Sequence, residues 1–132
     1  MIAVDTSALV AIAREEPDAY AFNEAIASGP VVIGTPALVE ASMVLPSVVT
    51  QDAADRFLAQ MLGYSWIEPV AFSFEMYEAA KMAFGRFGRG RGHPAQLNFG
   101  DCMSYAVAKV LDVPLLYKGN DFALTDIRSA LA

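Results

Sequence analysis

The chain has 132 residues, the size of one domain, and 55% of them are apolar, which excludes an intrinsically disordered protein. Its net charge is −6, so its overall field repels nucleic acid, and a polyanionic substrate would require a metal ion or a local basic patch. The single cysteine, Cys102, excludes an internal disulfide framework and fits a reducing cytosol. We expect a cytoplasmic protein without a signal peptide or a membrane partner, because no apolar run spans a bilayer and Asp5 interrupts the N-terminal apolar segment.

Two buried strands, each followed by a helix, are predicted in the first part of the chain. Met1–Val4 is apolar without alternation, which is typical of a central strand that is covered on both faces. A similar run at Val31–Ile33 is followed by a predicted helix at Pro36–Leu45, with Thr35 as its N-cap and Pro46 as its end. Further helices are predicted at residues 8–13, 19–28, 51–63, 74–87 and 99–111, and further strands at 66–70 (an edge strand), 115–117 and 125–127. The C-terminal residues 128–132 are expected to fray.

This alternation of strands and helices predicts a single α/β domain over residues 1–132. Its mainly parallel sheet would be covered by helices on both faces. Ligands of open α/β sheets bind beyond the carboxyl ends of the strands. Acidic side chains at that edge are therefore the candidates for function.

Two candidate acids lie in the first part of the chain. Asp5 ends the first strand, and we interpret it as functional because Thr6 and Ser7 can both cap the helix that follows. Glu40 is the only charge in the otherwise apolar helix Pro36–Leu45, which we expect to be buried. A buried carboxylate requires a cation, a metal ion or a raised pKa. The alternative for Glu40 is an ion pair with an arginine or a place at an interface.

Two further candidates lie near the C-terminus. Asp101 stands in the first turn of a predicted helix, three residues after Asn98, which is close to a capping box. Its surroundings are apolar, and Gly100 beside it permits close approach of backbone or ligand. Asp121 follows the last buried strand, although it and Asn120 are also good turn residues. Because parallel strands end at one edge, and the helices after them begin there, we expect four acids to meet: Asp5, Glu40, Asp101 and Asp121.

Four carboxylates in one pocket require a compensating cation. The donors are oxygens, and the lone His93 has no Cys or His partner at ligand spacing, so Mg²⁺ or Mn²⁺ fits and Zn²⁺ does not. Such an ion can activate water and stabilise an in-line displacement at phosphorus. The basic, glycine-rich loop Gly88–Pro94 is either a solvated linker or a phosphate-binding segment. The candidate phosphate contacts are Arg86, Arg89 and Arg91.

These features together resemble the PIN-domain ribonucleases of the VapC toxin type, over essentially the whole chain. The resemblance rests on Val4-Asp5-Thr6-Ser7-Ala8, on Glu40, and on two more specific stretches, Leu97-Asn98-Phe99-Gly100-Asp101-Cys102 and Lys118-Gly119-Asn120-Asp121-Phe122 with Thr125-Asp126-Ile127. It implies a PIN-like three-layer α/β/α fold with a mainly parallel central sheet of four to five strands.

The resemblance also implies a function. The chain would be a Mg²⁺-dependent endoribonuclease (Mn²⁺ being an alternative ion), with Asp5 and Asp101 as principal metal ligands and Glu40 and Asp121 in support. Additional candidates for the site are Thr6, Asn120 and Asp126, and Asp126 could share or replace the role of Asp121. Homodimers and inhibition by a cognate VapB-type antitoxin, whose tail enters the active-site groove, are implied as well. We expect no DNA binding by this chain alone.

Two other functions compete with this one. A phosphoacceptor receiver domain also has an acidic pocket in an α/β fold, and Lys118 after a strand fits it superficially. It requires two adjacent acids after the first strand and an acceptor Asp after the third, whereas Asp5 stands alone and the strand at 66–70 ends without an Asp. The second alternative, a non-catalytic PIN-like binding module, requires the acids to be structural caps.

Overall fold

The computed structural model describes residues 1–131, in which four strands, six helices and one 3₁₀ turn form. The elements are β1 (Ile2–Val4), α1 (Thr6–Ala13), α2 (Ala19–Ala27), β2 (Val31–Gly34), α3 (Thr35–Val48), α4 (Gln51–Gly63), β3 (Ile67–Val70), α5 (Phe74–Phe87), α6 (Phe99–Leu111), β4 (Leu115–Leu116) and the 3₁₀ turn Phe122–Leu124. None of the helices in this range combines the length and the apolar character that crossing a bilayer requires.

The four strands form one parallel sheet in the order β3-β2-β1-β4. β1 pairs with β2 on one side and with β4 on the other, which confirms its predicted central position, and β3 is the edge strand that the sequence predicts. Side chains along β2 alternate between two cores, because Val31 and Ile33 belong to one and Val32 to the other. A strand buried on both faces explains the uninterrupted apolar run in the sequence.

Helices cover both faces of the sheet and give the predicted three layers. On one face, Leu9 of α1 and Leu45 of α3 are fully buried in the first core, which includes residues of α2 and α4. On the other face, Phe87 of α5 and Tyr105 of α6 belong to the second core. Because all strands run in the same direction, their carboxyl ends and the N-termini of α1, α3 and α6 lie at one side of the molecule.

Helix α3 differs from its prediction at both ends and on its surface. Gly34, not Thr35, occupies the N-cap, and the helix continues through Pro46. Pro46 lies in the last turn, so only Ser47 and Val48 follow it in the helix. Val39 and Met43 are 53% and 73% exposed, so the expectation of a helix buried all round is wrong. The buried face consists of Ala37, Ala41 and Leu45.

The C-terminal segment is better ordered than the sequence indicates. The strand predicted at 125–127 does not form, and the chain instead contributes a single bridge between Ser129 and Leu115. The backbone N of Ala130 donates a hydrogen bond to the carbonyl O of Leu115 at 2.9 Å. The expected fraying is therefore wrong for residues up to 131, because their backbone joins the open edge of β4. Ala132, which is also expected to fray, lies outside the described residues.

Candidate active site

Asp5 lies directly after β1 and begins α1. It is 4% exposed, its Oδ2 accepts a hydrogen bond from the backbone N of Ser7 at 3.0 Å, and its own N donates to the carbonyl O of Leu116 at 2.9 Å. Asp5 itself is thus the cap of α1, and the expectation that Thr6 or Ser7 would take that role is wrong. The Thr6 hydroxyl instead donates to the carbonyl O of Ala37 at 3.2 Å, which joins α1 to α3 beside the site.

Asp101 occupies the first turn of α6 in a complete capping box. Its backbone N donates to Asn98 Oδ1 at 2.9 Å, and its Oδ2 accepts from the backbone N of Asn98 at 3.0 Å. Within residues 1–131, hydrogen bonds involve only one of the two carboxylate oxygens. The second oxygen, Oδ1, therefore remains available to a ligand.

Glu40 reaches from α3 to the N-terminal backbone of α6. A methyl group at Gly100 would stand 2.6 Å from Glu40 Oε2 and 2.9 Å from Oε1, so the carboxylate fills the space that the glycine leaves free. Glu40 is partly rather than fully buried, because the outer side of α3 is exposed. None of the salt bridges among residues 1–131 includes Glu40, so the structure gives it no arginine partner.

The acids act on one another electrostatically. Burial is the largest cause that raises the pKa of Asp101, which reaches about 6, and the negative charges of Asp5, Asp121 and Glu40 raise it further. The hydrogen bond from the backbone of Asn98 only partly offsets these effects. The other three acids predicted to meet thus all influence the carboxyl group of Asp101. A bound cation would relieve this conflict by favouring the ionised form.

An open cleft of about 370 Å³ runs between the N-termini of α1 and α6 and the side of α3. It is lined by Asp5, Thr6, Ser7, Val10, Glu16, Glu40, Val44, Asp101 and Lys118. Three of the four predicted acids and Thr6 line it. Glu16 and Lys118 were missed as site residues, although the position of Lys118 just after the last buried strand was a usable signal.

The donor set of the cleft fits a hard divalent cation. Asp5, Glu40 and Asp101 offer carboxylate oxygens, and neither a thiolate nor an imidazole lines the cleft within residues 1–131. In the same range, no three His, Cys, Asp or Glu side chains stand close enough to form a complete ligand cage. Mg²⁺ does not require such a cage, because it usually keeps several waters and binds directly to one or two carboxylates.

Asp121 and Asp126 have different surroundings. Asp121 is exposed at the start of the 3₁₀ turn, and its charge contributes to the raised pKa of Asp101. Asp126 accepts hydrogen bonds from the Tyr105 hydroxyl at 2.6 Å and from Lys109 Nζ at 3.0 Å. Lys109 is two turns along α6 from Asp101, about 12 Å at the rise of an α-helix. The geometry thus favours Asp121 over Asp126 as the fourth acid, and Asn120 is exposed beside it.

The three arginines predicted to contact phosphate lie outside the cleft. Arg86 is 3.8 Å from Asp126 Oδ2 and lies over the Phe87 ring, at 4.6 Å from the ring centroid. Arg91 lies 5.7 Å from the centroid of the Phe84 ring. Arg89 is exposed. None of the three lines the acidic cleft, so any contact they make with a polyanion would be on the flanking surface.

Comparison with known proteins agrees with this architecture. The family model described as "PIN domain" matches residues 2–127. The chain belongs to the PIN domain family. It is 43% identical over 125 residues to a "Ribonuclease VapC" of Mycolicibacterium smegmatis, a match that covers 94% of this chain and 95% of the relative. It is 42% identical over 132 residues to "Ribonuclease VapC28" of Mycobacterium tuberculosis, a match that covers 97% of this chain and 96% of the relative.

A solved structure shows the same fold in a more distant protein. The crystal structure of VapC20 from Mycobacterium tuberculosis, described as a "Sarcin-Ricin loop cleaving toxin", superposes with a TM-score of 0.78 and covers 96% of each chain. Its sequence is 20% identical to this PIN-domain chain. The predicted PIN-like three-layer α/β/α fold is confirmed, with a sheet of four strands in residues 1–131.

Proposed function

We propose that this single-domain chain, residues 1–132, is a Mg²⁺-dependent endoribonuclease that acts as the toxin of a toxin–antitoxin pair. The observation that carries the proposal is the cleft in which Asp101 has a pKa of about 6, because burial and three neighbouring acids oppose its ionisation. That cleft belongs to a chain that matches curated VapC ribonucleases over nearly its whole length. A phosphoacceptor receiver function is disfavoured because the family is PIN.

The proposed roles follow from the positions of the carboxylates. Asp5 and Asp101 would hold the ion, since each uses one oxygen as a helix cap and, in residues 1–131, has a second oxygen without a hydrogen bond. Glu40 and Asp121 would bind waters or complete the negative charge that attracts the ion. When bound, Mg²⁺ or Mn²⁺ supplies an activated water and charge stabilisation for displacement at phosphorus. The chain's own contribution is to keep the acids in place and shield them partly from solvent.

The remaining assignments concern neighbouring groups and partners. The Thr6 hydroxyl, Asn120 and, less favourably, Asp126 are additional candidates at the site. Arg86, Arg89 and Arg91 would contact RNA phosphates that flank the cleft. We propose a cytoplasmic homodimer, inhibited by a cognate VapB-type antitoxin, with no DNA binding of its own. The exposed apolar side chains of α3, Val39 and Met43, are consistent with a protein partner.

The test is RNA cleavage by the purified protein with MgCl₂ or with EDTA. Asp101→Asn should abolish cleavage and keep the fold, because the asparagine side chain retains an oxygen that can accept the hydrogen bond from the backbone N of Asn98. Asp112→Asn is the matched control, since it makes the same chemical change at the exposed C-terminal end of α6. Cleavage that persists in EDTA, or in well-folded Asp101→Asn, would refute the proposal and favour a non-catalytic binding module.

A further inference from the structure

The cleft is lined by more negative side chains than positive ones. Four carboxylates line it (Asp5, Glu16, Glu40 and Asp101), and within residues 1–131 the only cationic side chain that lines it is Lys118. The basic, glycine-rich loop Gly88–Pro94 does not line the cleft. An RNA backbone that enters this cleft therefore meets one positive side chain of the protein beside any bound metal ion.

Lys118 is anchored to the site through its backbone. It lies two residues after the end of β4, and its N donates a hydrogen bond to Ser7 Oγ at 3.0 Å, in the first turn of the helix that Asp5 caps. The adjacent strand ends are also tied, since the backbone N of Asp5 donates to the carbonyl O of Leu116. These hydrogen bonds fix the backbone of Lys118 relative to the proposed metal ligands.

The Lys118 side chain is held by two acids in the turn between α1 and α2. Its Nζ lies 2.5 Å from Glu16 Oε1 and 3.4 Å from Asp18 Oδ1. The side chain is 41% exposed, and Glu16 also lies 3.6 Å from Arg14 Nη1. Glu16 is 21% exposed, but the ammonium group of Lys118 lies at the surface, where it can exchange its acidic partners for another anion. A lysine on a flexible four-carbon stem suits such an exchange.

We propose that Lys118 is a substrate-binding residue of the cleft, which leaves Glu16 and Asp18 to bind a phosphate of the RNA next to the bond that is cut. This inference rests on the proposed ribonuclease function. Glu16 and Asp18 compete with the RNA for the ammonium group, so they lower the affinity for RNA while they hold Lys118 in position. A purely structural clamp between the segment after β4 and the α1–α2 turn would not compete with RNA.

The proposal predicts that RNA binding changes in opposite directions when Lys118 is removed and when its acidic partners are removed. A purely structural clamp does not predict this. Under the proposal, Lys118→Gln weakens RNA binding by up to about fivefold, the upper end of the range that exposed ion pairs provide. It also lowers the slope of log K against log salt concentration by about 0.7, the value for one phosphate contact with a single strand. Lys118→Arg keeps the slope. Glu16→Gln with Asp18→Asn strengthens binding, because Lys118 no longer has to leave its acidic partners.

The measurement is fluorescence anisotropy of a labelled single-stranded RNA of mixed sequence, titrated in EDTA at several salt concentrations. Asp52→Asn with Asp55→Asn is the control for the charge change, because it removes two acids on the exposed side of α4. The gain from the Glu16 and Asp18 changes should exceed that of this control and should vanish when Lys118→Gln is also present. Thermal unfolding of each variant verifies that the fold is kept.

The outcomes separate the inference from the function on which it rests. An unchanged salt slope for Lys118→Gln overturns the inference, and so does a loss of RNA binding when Glu16 and Asp18 are neutralised. In either case, wild-type cleavage in MgCl₂ leaves the ribonuclease proposal intact. If the wild-type protein neither binds nor cleaves RNA, the proposed function and the inference are both refuted.

Discussion

Replacing Gly100 by alanine should damage the site without damaging the fold. The new methyl group would stand 2.6 Å from Glu40 Oε2, whereas ordinary contacts begin near 3.4 Å, so the carboxylate has to retreat by about 0.8 Å. The clashing atoms are the far end of a flexible side chain, so the backbone of α6 can stay in place. A displacement of about 1 Å in a catalytic constellation can cost about a hundredfold in rate. We therefore expect Gly100→Ala to lower kcat by roughly tenfold to a hundredfold.

Stability should change in the opposite direction. Gly100 lies within α6, and alanine is favoured over glycine in helices by up to about 1 kcal/mol. The matched control is Gly85→Ala in the exposed part of α5, where a methyl group would meet nothing within 4 Å. Thermal unfolding should show both variants to be at least as stable as the wild type. Initial rates of RNA cleavage in MgCl₂ should be lowered only for Gly100→Ala.

A double-mutant cycle with Glu40→Asp tests whether the loss acts through Glu40. Aspartate is shorter by one methylene, so its carboxylate no longer occupies the space against Gly100. The Gly100→Ala change should then have little additional effect on the rate in the Glu40→Asp background. Full activity of the single Gly100→Ala variant would refute the role assigned to this contact. Additive losses in the double variant would show that Gly100 acts by another route.

Three further predictions concern the core, the Asp126 cluster and the metal ion. Leu45→Ala, at a fully buried position, should lower the free energy of unfolding by about 2–5 kcal/mol in urea titrations, whereas Leu124→Ala, at a half-exposed one, should cost much less. Burial raises the pKa of Asp126, but the hydrogen bonds from Tyr105 and Lys109 outweigh it and lower that pKa below 3.8. The stabilisation that ionised Asp126 provides is therefore complete above its ordinary pKa of 3.8 and is lost as the pH falls through the lowered pKa. Asp126→Asn should thus be less stable than the wild type at pH 7 and equally stable in strong acid. A loss of stability that does not depend on pH would contradict this. MnCl₂ should raise the Tm of the wild type but not that of Asp101→Asn, and equal shifts would refute metal binding at Asp101.

The sequence predicted the parts of the fold that depend on local signals. The helices Gln51–Gly63, Phe74–Phe87 and Phe99–Leu111 have the predicted bounds because Thr50, Ser73 and Asn98 each accept a hydrogen bond from the first turn. The central position of β1 could be predicted because no polar residue interrupts its apolar run, a pattern that is typical of a strand buried on both faces.

Other parts depend on tertiary contacts that no local pattern encodes. Pro46 was expected to end α3, but the helix continues for two residues past it, and Leu45 and Val48 in this last turn both pack in the first core. Residues after 124 were expected to form a strand or to fray, whereas their position is fixed by the open edge of β4 at Leu115. The pairing of Lys118 with Glu16 joins residues 102 positions apart, which no periodicity indicates.

The structure removes the apparent conflict between a capping role and a catalytic role for the site acids. From the sequence these were competing explanations of Asp5 and Asp101, yet each side chain uses one oxygen as a cap and has the other available. Capping fixes the carboxylates at the N-termini of two helices, so the same bonds that begin α1 and α6 orient the proposed ligands. Because asparagine preserves the capping oxygen and removes the charge, Asp→Asn at both positions should leave the fold intact and abolish metal binding. Loss of folding in these variants would show instead that the negative charge at the helix ends is structural.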